Sequence, residues 1–245
     1  MRFFTSKKSF ISSGLLTGAT DIHSHILPGV DDGINNYADA VETLQWLKSD
    51  GVGRIFLTPH IMSDFSKNTS FFLTERFDIF MKTMKNEGVT DIPEVKLCAE
   101  YMLEADFVKQ KKGGLLTFAD RHVLVETSYM TPPLGFVIIL ENLLEHDYSP
   151  ILAHPERYHY MDMKDYTMLK NQGIKLQLNF IALTGAYGSF IREKAERLLM
   201  EGYYNFTGSD IHHLTRHKDA YNIRKLTEKQ ILKLQPLFLN NQSLW

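Results

Sequence analysis

The sequence predicts a single α/β domain whose parallel strands close into a barrel, and three observations predict it. Seven short apolar runs alternate with longer stretches of helical period, the pattern of repeated βα units. Six of the seven runs end in, or pass directly into, a His, Asp or Glu. The length, 245 residues, suits one α/β barrel with a single core. The expected strands are Ala19–His25, Arg54–His60, Val95–Tyr101, His122–Ser128, Pro150–His154, Lys175–Phe180 and Tyr204–Asp210. Helices are expected near Tyr37–Ser49, Phe72–Asn86, Gly135–Glu145, Lys164–Gln172, Ser189–Met200 and Lys218–Leu234. Periodicity alone also allows an open doubly wound sheet. An open sheet would spread the polar strand ends along a line, whereas a barrel gathers them at the carboxyl ends of its strands.

Composition narrows the classes of function. Hydrophobic residues make up 44% and charged residues 23%, an ordinary globular balance. The formal net charge of −2 provides no general grip on nucleic acid or anionic lipid. Cys98 is the one cysteine, which excludes an intramolecular disulfide, fits a reducing compartment and reads as buried filler. No run approaches the ~20 apolar residues of a membrane span. The basic start, MRFFTSKKSFISSGLLTGA, is broken by Ser, Gly and Thr before it can form the apolar ~7–15 residue core of a secretory signal. Residues 1–18 are therefore read as an N-terminal arm, residues 19–245 as the domain, and the location as cytoplasmic.

The strand ends carry the chemistry. Residues at i and i+2 of a strand face the same side, so His23 and His25 form a natural chelate, and Asp210 with His212 repeats the device at the last strand. His60, Glu100, Glu126 and His154 end the strands between them, and Asp32 follows the first. Each alone reads as an ordinary polar terminus. Together they require many costly polar endings at one rim, unless they bind cations. Nine candidate ligands exceed the roughly four of one structural zinc site. The four carboxylates Asp32, Glu100, Glu126 and Asp210 leave three divalent ions with a surplus of positive charge, suited to an anionic substrate. The absence of thiolates points to Mn, Fe or Zn in a nitrogen and oxygen site. Such clusters lower the pKa of bound water and clamp attacking and leaving oxygens, the requirement of phosphoester hydrolysis. Arg157 and Arg216 stand near the same rim and offer planar forks for phosphate. Tyr158, Tyr187 and the stretches 62–72 and 129–134 are candidates for an aromatic or apolar rim. His122, His146, His159, His213 and His217 are read as surface or packing residues.

The segments DIHSHILPGVDDG (Asp21–Gly33), LTPH (Leu57–His60), AEY (Ala99–Tyr101), VLVE (Val123–Glu126), LAHPERY (Leu152–Tyr158) and GSDIH (Gly208–His212) together resemble one family. They are similar to the PHP-type protein-tyrosine phosphatases of bacterial capsule and exopolysaccharide loci, the CpsB/CapC family. The resemblance runs from about Asp21 to the C-terminal helix. It implies a distorted (β/α)7 barrel of the PHP type holding three metal ions, most often Mn. It further implies one ion among His23, His25, Glu100 and Asp210. A second would lie among Glu100, Glu126 and His154, and a third among Asp32, His60 and His212, with Arg157 on the phosphate. The implied reaction is hydrolysis of phosphotyrosine by a metal-activated hydroxide, on the tail of a partner tyrosine kinase controlling polysaccharide export. The alternatives are a PHP phosphatase of a small metabolite such as histidinol phosphate, a PHP nuclease, and a metal-stabilised module that binds a kinase tail without turnover.

Overall fold

Short Leu-, Ile- and Val-rich runs bounded by turn residues become strands, and the amphipathic stretches between them become helices. The structure is a computed structural model that describes residues 7–104, 107, 114–119 and 121–245. In chain order the strands are β1 (Thr20–Asp21), β2 (Arg54–Leu57), β3 (His60–Ile61), β4 (Glu94–Leu97), β5 (Glu100–Met102), β6 (His122–Glu126), β7 (Ser149–Ala153), β8 (Lys175–Asn179) and β9 (Phe206–Gly208). The helices are α1 (Phe10–Ser13), α2 (Tyr37–Ser49), α3 (Ser70–Asn86), α4 (Phe136–Glu145), α5 (Met163–Asn171), α6 (Ser189–Glu201), α7 (Leu214–Asn222) and α8 (Glu228–Asn241).

Every strand pair is parallel. Two of the expected strands are each interrupted, giving β2 with β3 and β4 with β5 and splitting the sheet into the orders β1-β2-β4 and β3-β5-β6-β7-β8-β9. Pro59 lies in the first interruption, where it has no N–H to donate. The ladder bends there without being lost: the Cys98 amide still donates to Leu57 O and the Glu100 amide to Pro59 O. The ring then closes through a parallel bridge between Ser24 and Ile211. The Asp210 amide donates to His23 O and the His25 amide to Ile211 O, each at 2.9 Å. Seven strand positions therefore form a barrel, and these bonds eliminate the open-sheet alternative.

Strand parity sorts the core. Ile22, Phe56, Cys98, Leu124, Ile151 and Phe206, one from each of six strand positions, cluster together and fill the barrel interior. Residues of opposite parity, such as Leu57, Val123, Val125, Leu152 and Leu178, join the larger cluster beneath the helices. Two residues beyond Leu124 and Cys98 on the inward face stand Glu126 and Glu100. Four beyond Phe206 stands Asp210. The alternation that buries an apolar floor thus aims carboxylates into the mouth.

One helix differs from expectation. The predicted Lys218–Leu234 helix is two, α7 and α8, broken where Leu226 pairs antiparallel with Lys8. Thr227 starts α8 with a capping box to Gln230, and satisfying those amides outweighs continuing the apolar period. Within the arm, residues 1–6 lie outside the described residues. Phe10 is wholly buried, its ring 4.8 Å from Phe180 and 6.2 Å from Tyr221, so this segment completes the core. Among the described residues no helix is long and apolar enough to cross a membrane.

Because Phe10 fills a closed aromatic cluster, Phe10→Ala is expected to lower the unfolding free energy by about 3–5 kcal/mol. A shifted urea midpoint at unchanged slope checks this.

Candidate metal centre

The nine residues expected to converge do meet at the carboxyl end of the barrel. His23 Nε2 lies 3.1 Å from Glu100 Oε2 and 3.4 Å from Asp210 Oδ1, and His25 Nε2 lies 3.3 and 3.5 Å from the same two oxygens. His60 Nδ1 faces Glu126 at 3.1 Å and Glu100 at 3.3 Å, while its Nε2 faces Asp32 at 3.4 Å. His154 Nε2 sits 3.0 Å from Glu100 Oε1 and 3.7 Å from Glu126 Oε2. His212 approaches Asp32 at 3.5 Å and Asp210 at 3.4 Å. Ligand atoms fall into three groups: His23, His25, Glu100 and Asp210; His60, Glu100 and Glu126; and His25, Asp32, His60 and His212. In the second group His60 stands where the family resemblance would put His154, and His25 joins the third.

The donor set fits divalent cations. Nitrogen and carboxylate oxygen converge without thiolate, the combination that suits Mn, Fe or Zn. Glu100 Oε2 and His60 Nδ1, buried within this cluster, form no well-directed hydrogen bond in the protein. Each such orphan costs about 1–3 kcal/mol unless something satisfies it, and a coordinated cation does. Burial disfavours the charged ring of His23, but Glu100 and Asp210 outweigh it and raise the ring to about 9. His60 is likewise raised to about 10, the close carboxylates of Glu126 and Glu100 overcoming burial. For Asp210, burial is overcome by His23, His212 and Arg157, which hold the carboxyl below the usual carboxylate range.

Supporting residues that the sequence reading did not single out fix the ligands. Asp31 accepts from His25 Nδ1 at 2.9 Å and from the His60 and Gly33 amides. Gln177 Oε1 lies 2.9 Å from His23 Nδ1. With each Nδ1 engaged, the Nε2 of His23 and of His25 is directed inward. Asn179 donates to Asp210 Oδ2 at 2.8 Å and to the Tyr187 hydroxyl. Gln177 and Asn179 stand two apart on β8, which corresponds to the one expected strand of the seven without a titratable end. Two amides at period two in an apolar strand were the available signal. Glycines make the crowding feasible: a Cβ on Gly33 would meet His25 O at 2.1 Å, and one on Gly208 would meet His23 Cβ at 2.6 Å. His154 and Asp210 hold left-handed backbone, φ 33° and 55°, a strained state for side chains of this size.

Arg157 donates from Nη1 to Asp210 Oδ2 at 2.9 Å. Its guanidinium lies 4.2 Å from the Tyr129 ring centre and 4.8 Å from that of Tyr187. Arg216 donates to Ala186 O, and its guanidinium lies 4.4 Å from the Tyr187 ring centre. Both arginines, with Tyr129, Tyr187, Asp32, His60, Glu100, His154, Asp210 and His212, line a mouth of about 270 Å³. Tyr158 is not on this rim. It is wholly buried, donating to Ala153 O and accepting from the Thr127 amide. His217 is buried against Ser209 O and His213 O, and together with His213, also expected at the surface or in packing, it lines the mouth.

The family profile for capsular polysaccharide synthesis, CpsB/CapC, matches residues 19–240. The chain belongs to the CpsB/CapC family. It is 27% identical to the tyrosine-protein phosphatase YwqE of Bacillus subtilis over 234 residues, covering 91% of this chain and 89% of that protein. It is 28% identical to the putative tyrosine-protein phosphatase CapC of Staphylococcus aureus, covering 84% and 83%. Against the tyrosine-protein phosphatase CpsB of Streptococcus pneumoniae the identity is 27%, covering 90% and 95%. The fold matches a crystal structure from the study of YwqE and CpsB as metal-dependent tyrosine phosphatases. The TM-score is 0.75 at 24% identity, over 92% of this chain and 93% of that one. What this CpsB/CapC chain shares with that structure is the fold, over nearly the whole of both chains.

Asp31→Ala frees the His25 ring and leaves the His60 amide unmet. It is expected to weaken Mn²⁺ binding about 10–100-fold with the circular dichroism spectrum retained, as isothermal titration against wild type checks.

Proposed function

We propose that this chain is a metal-dependent protein-tyrosine phosphatase acting on phosphotyrosine in a protein partner, a bacterial tyrosine kinase of capsule or exopolysaccharide synthesis. The observation that carries the reading is the convergence of five imidazoles and four carboxylates on one mouth, with Arg157 at its edge. Membership of the CpsB/CapC family, whose relatives bear the name tyrosine-protein phosphatase, supplies the substrate class. The catalytic unit is the domain at residues 19–245, and the preferred metal is Mn.

In this reading three divalent ions are held by His23, His25, Asp32, His60, Glu100, Glu126, His154, Asp210 and His212. Such ions lower the pKa of a water and neutralise charge on a phosphate. The chain's own groups do the rest. Asp210 keeps Oδ1 toward the imidazoles while Asn179 and Arg157 take Oδ2. Arg157, held between Tyr129 and Tyr187, directs its remaining N–H groups to phosphate oxygens. Arg216, anchored on Ala186 O, adds positive charge from the outer wall. A departing phenol of pKa ~10 leaves readily enough that no dedicated general acid is required. Cys98 takes no part: it is wholly buried in the barrel interior, where burial pushes its thiol up, so it lacks the thiolate that nucleophilic attack needs.

The Mn²⁺-loaded protein is expected to hydrolyse para-nitrophenyl phosphate and phosphotyrosine peptides and to stop on addition of EDTA. Turnover by thoroughly stripped protein would contradict the reading, and preference for histidinol phosphate over the peptides would reassign the substrate. Arg157→Ala is expected to keep the metal-to-protein ratio but weaken inhibition by inorganic phosphate roughly 10–100-fold, the worth of a charged hydrogen bond. Unchanged inhibition removes Arg157 from the phosphate site.

A further inference from the structure

Beside the metal mouth runs an apolar groove of about 550 Å³ that the chemistry described above does not use. Pro132, Pro133 and Ile138 line it from one side, and Tyr160, Met161 and Met168 from the other. Ile138 is 69% exposed and Met168 40%, and Leu134 at the edge is fully exposed. Exposed apolar side chains gathered at a concave surface mark a recognition site. The groove's one carboxylate, Asp165, accepts from the Asp162 amide in the capping box of α5.

The groove and the mouth are built from shared stretches of chain. Two neighbouring segments serve both. One gives Tyr129 to the mouth and Pro132 and Pro133 to the groove; the other gives Arg157 to the mouth and Tyr160 and Met161 to the groove. The His159 amide donates to Tyr129 O at 2.8 Å and ties the segments together. Three residues from Tyr129 to Pro132 span at most about 10 Å, so a peptide held by its phosphotyrosine passes the groove within a few residues.

We propose that the groove receives an apolar side chain of the phosphotyrosine substrate's own chain, about two to five positions from the phosphorylated residue. The proposal rests on the phosphotyrosine reading above. It makes the groove the determinant of which tyrosine is chosen, while the mouth determines only that a phosphoester is cut.

The test uses full-length Mn²⁺-loaded protein and its exposed-site variants Ile138→Glu and Met168→Glu. The substrates are para-nitrophenyl phosphate and paired phosphotyrosine peptides, carrying Leu or Ser at each position from two to five on either side. Wild type is expected to prefer Leu at one or more of these positions by roughly tenfold or more in kcat/KM, the worth of burying such a side chain. The variants are expected to lose that preference with para-nitrophenyl phosphate turnover unchanged. Turnover of para-nitrophenyl phosphate with no Leu preference in wild type, or a preference that survives both variants, overturns the groove and leaves the activity standing. Turnover of no phosphoester by wild type overturns the activity itself and this assignment with it. Self-association of wild type in sedimentation that Ile138→Glu abolishes would make the groove a contact between copies instead and overturn the proposal.

Discussion

The buried carboxylate of Glu100 governs the mouth of this barrel. Its two oxygens lie within about 3 Å of imidazole nitrogens from His23 and His154, with His25 and His60 slightly farther. An isolated carboxylate in such surroundings is prohibitively costly, so the groups around it have to be positively charged or hold something that is. Five histidines supplied by the first, second, fifth and last strand positions meet that demand. The strained backbone of His154 and Asp210 and the close approach at Gly33 and Gly208 are what it takes to bring them there.

The second layer keeps the first from collapsing into ordinary salt bridges. Asp31 and Gln177 each occupy one nitrogen of an imidazole and thereby choose which nitrogen faces inward. Asn179 and Arg157 do the same for Asp210, one oxygen of which is engaged outward and one left inward. Arg157 thus does two things in one geometry: it bonds Asp210 Oδ2 and lines the edge of the mouth with positive charge.

Much of this was legible in the sequence. Alternation of apolar runs with helical stretches located all seven strand positions, because inward parity and polar endings both leave marks at a spacing of two. His23 with His25, and Asp210 with His212, announced themselves by that spacing. The interruption at Pro59 was less legible, because a bend that keeps its hydrogen bonds leaves the run apolar throughout. The break between α7 and α8 was written in Thr227 and Gln230, but an apolar period running through it masked the cap. Asp31 and Asn179 were hidden for another reason: their work is defined by what they touch, and Asp31 beside Asp32 carries no sign of which one turns inward. Tyr158 shows the converse, an aromatic in a motif beside the site whose ring belongs to the core.

The ring has a seam, where the residues after β1 meet those after β9, and it runs directly beneath His23 and Asp210. A cation shared by those two residues would therefore also be a latch across the join between the beginning and the end of the domain. Occupancy of the mouth and integrity of the ring then draw on one free energy. Binding at a thousandfold excess over its dissociation constant adds about 4 kcal/mol to the closed form. A cell that starves this protein of metal would weaken the closure of its ring along with its chemistry.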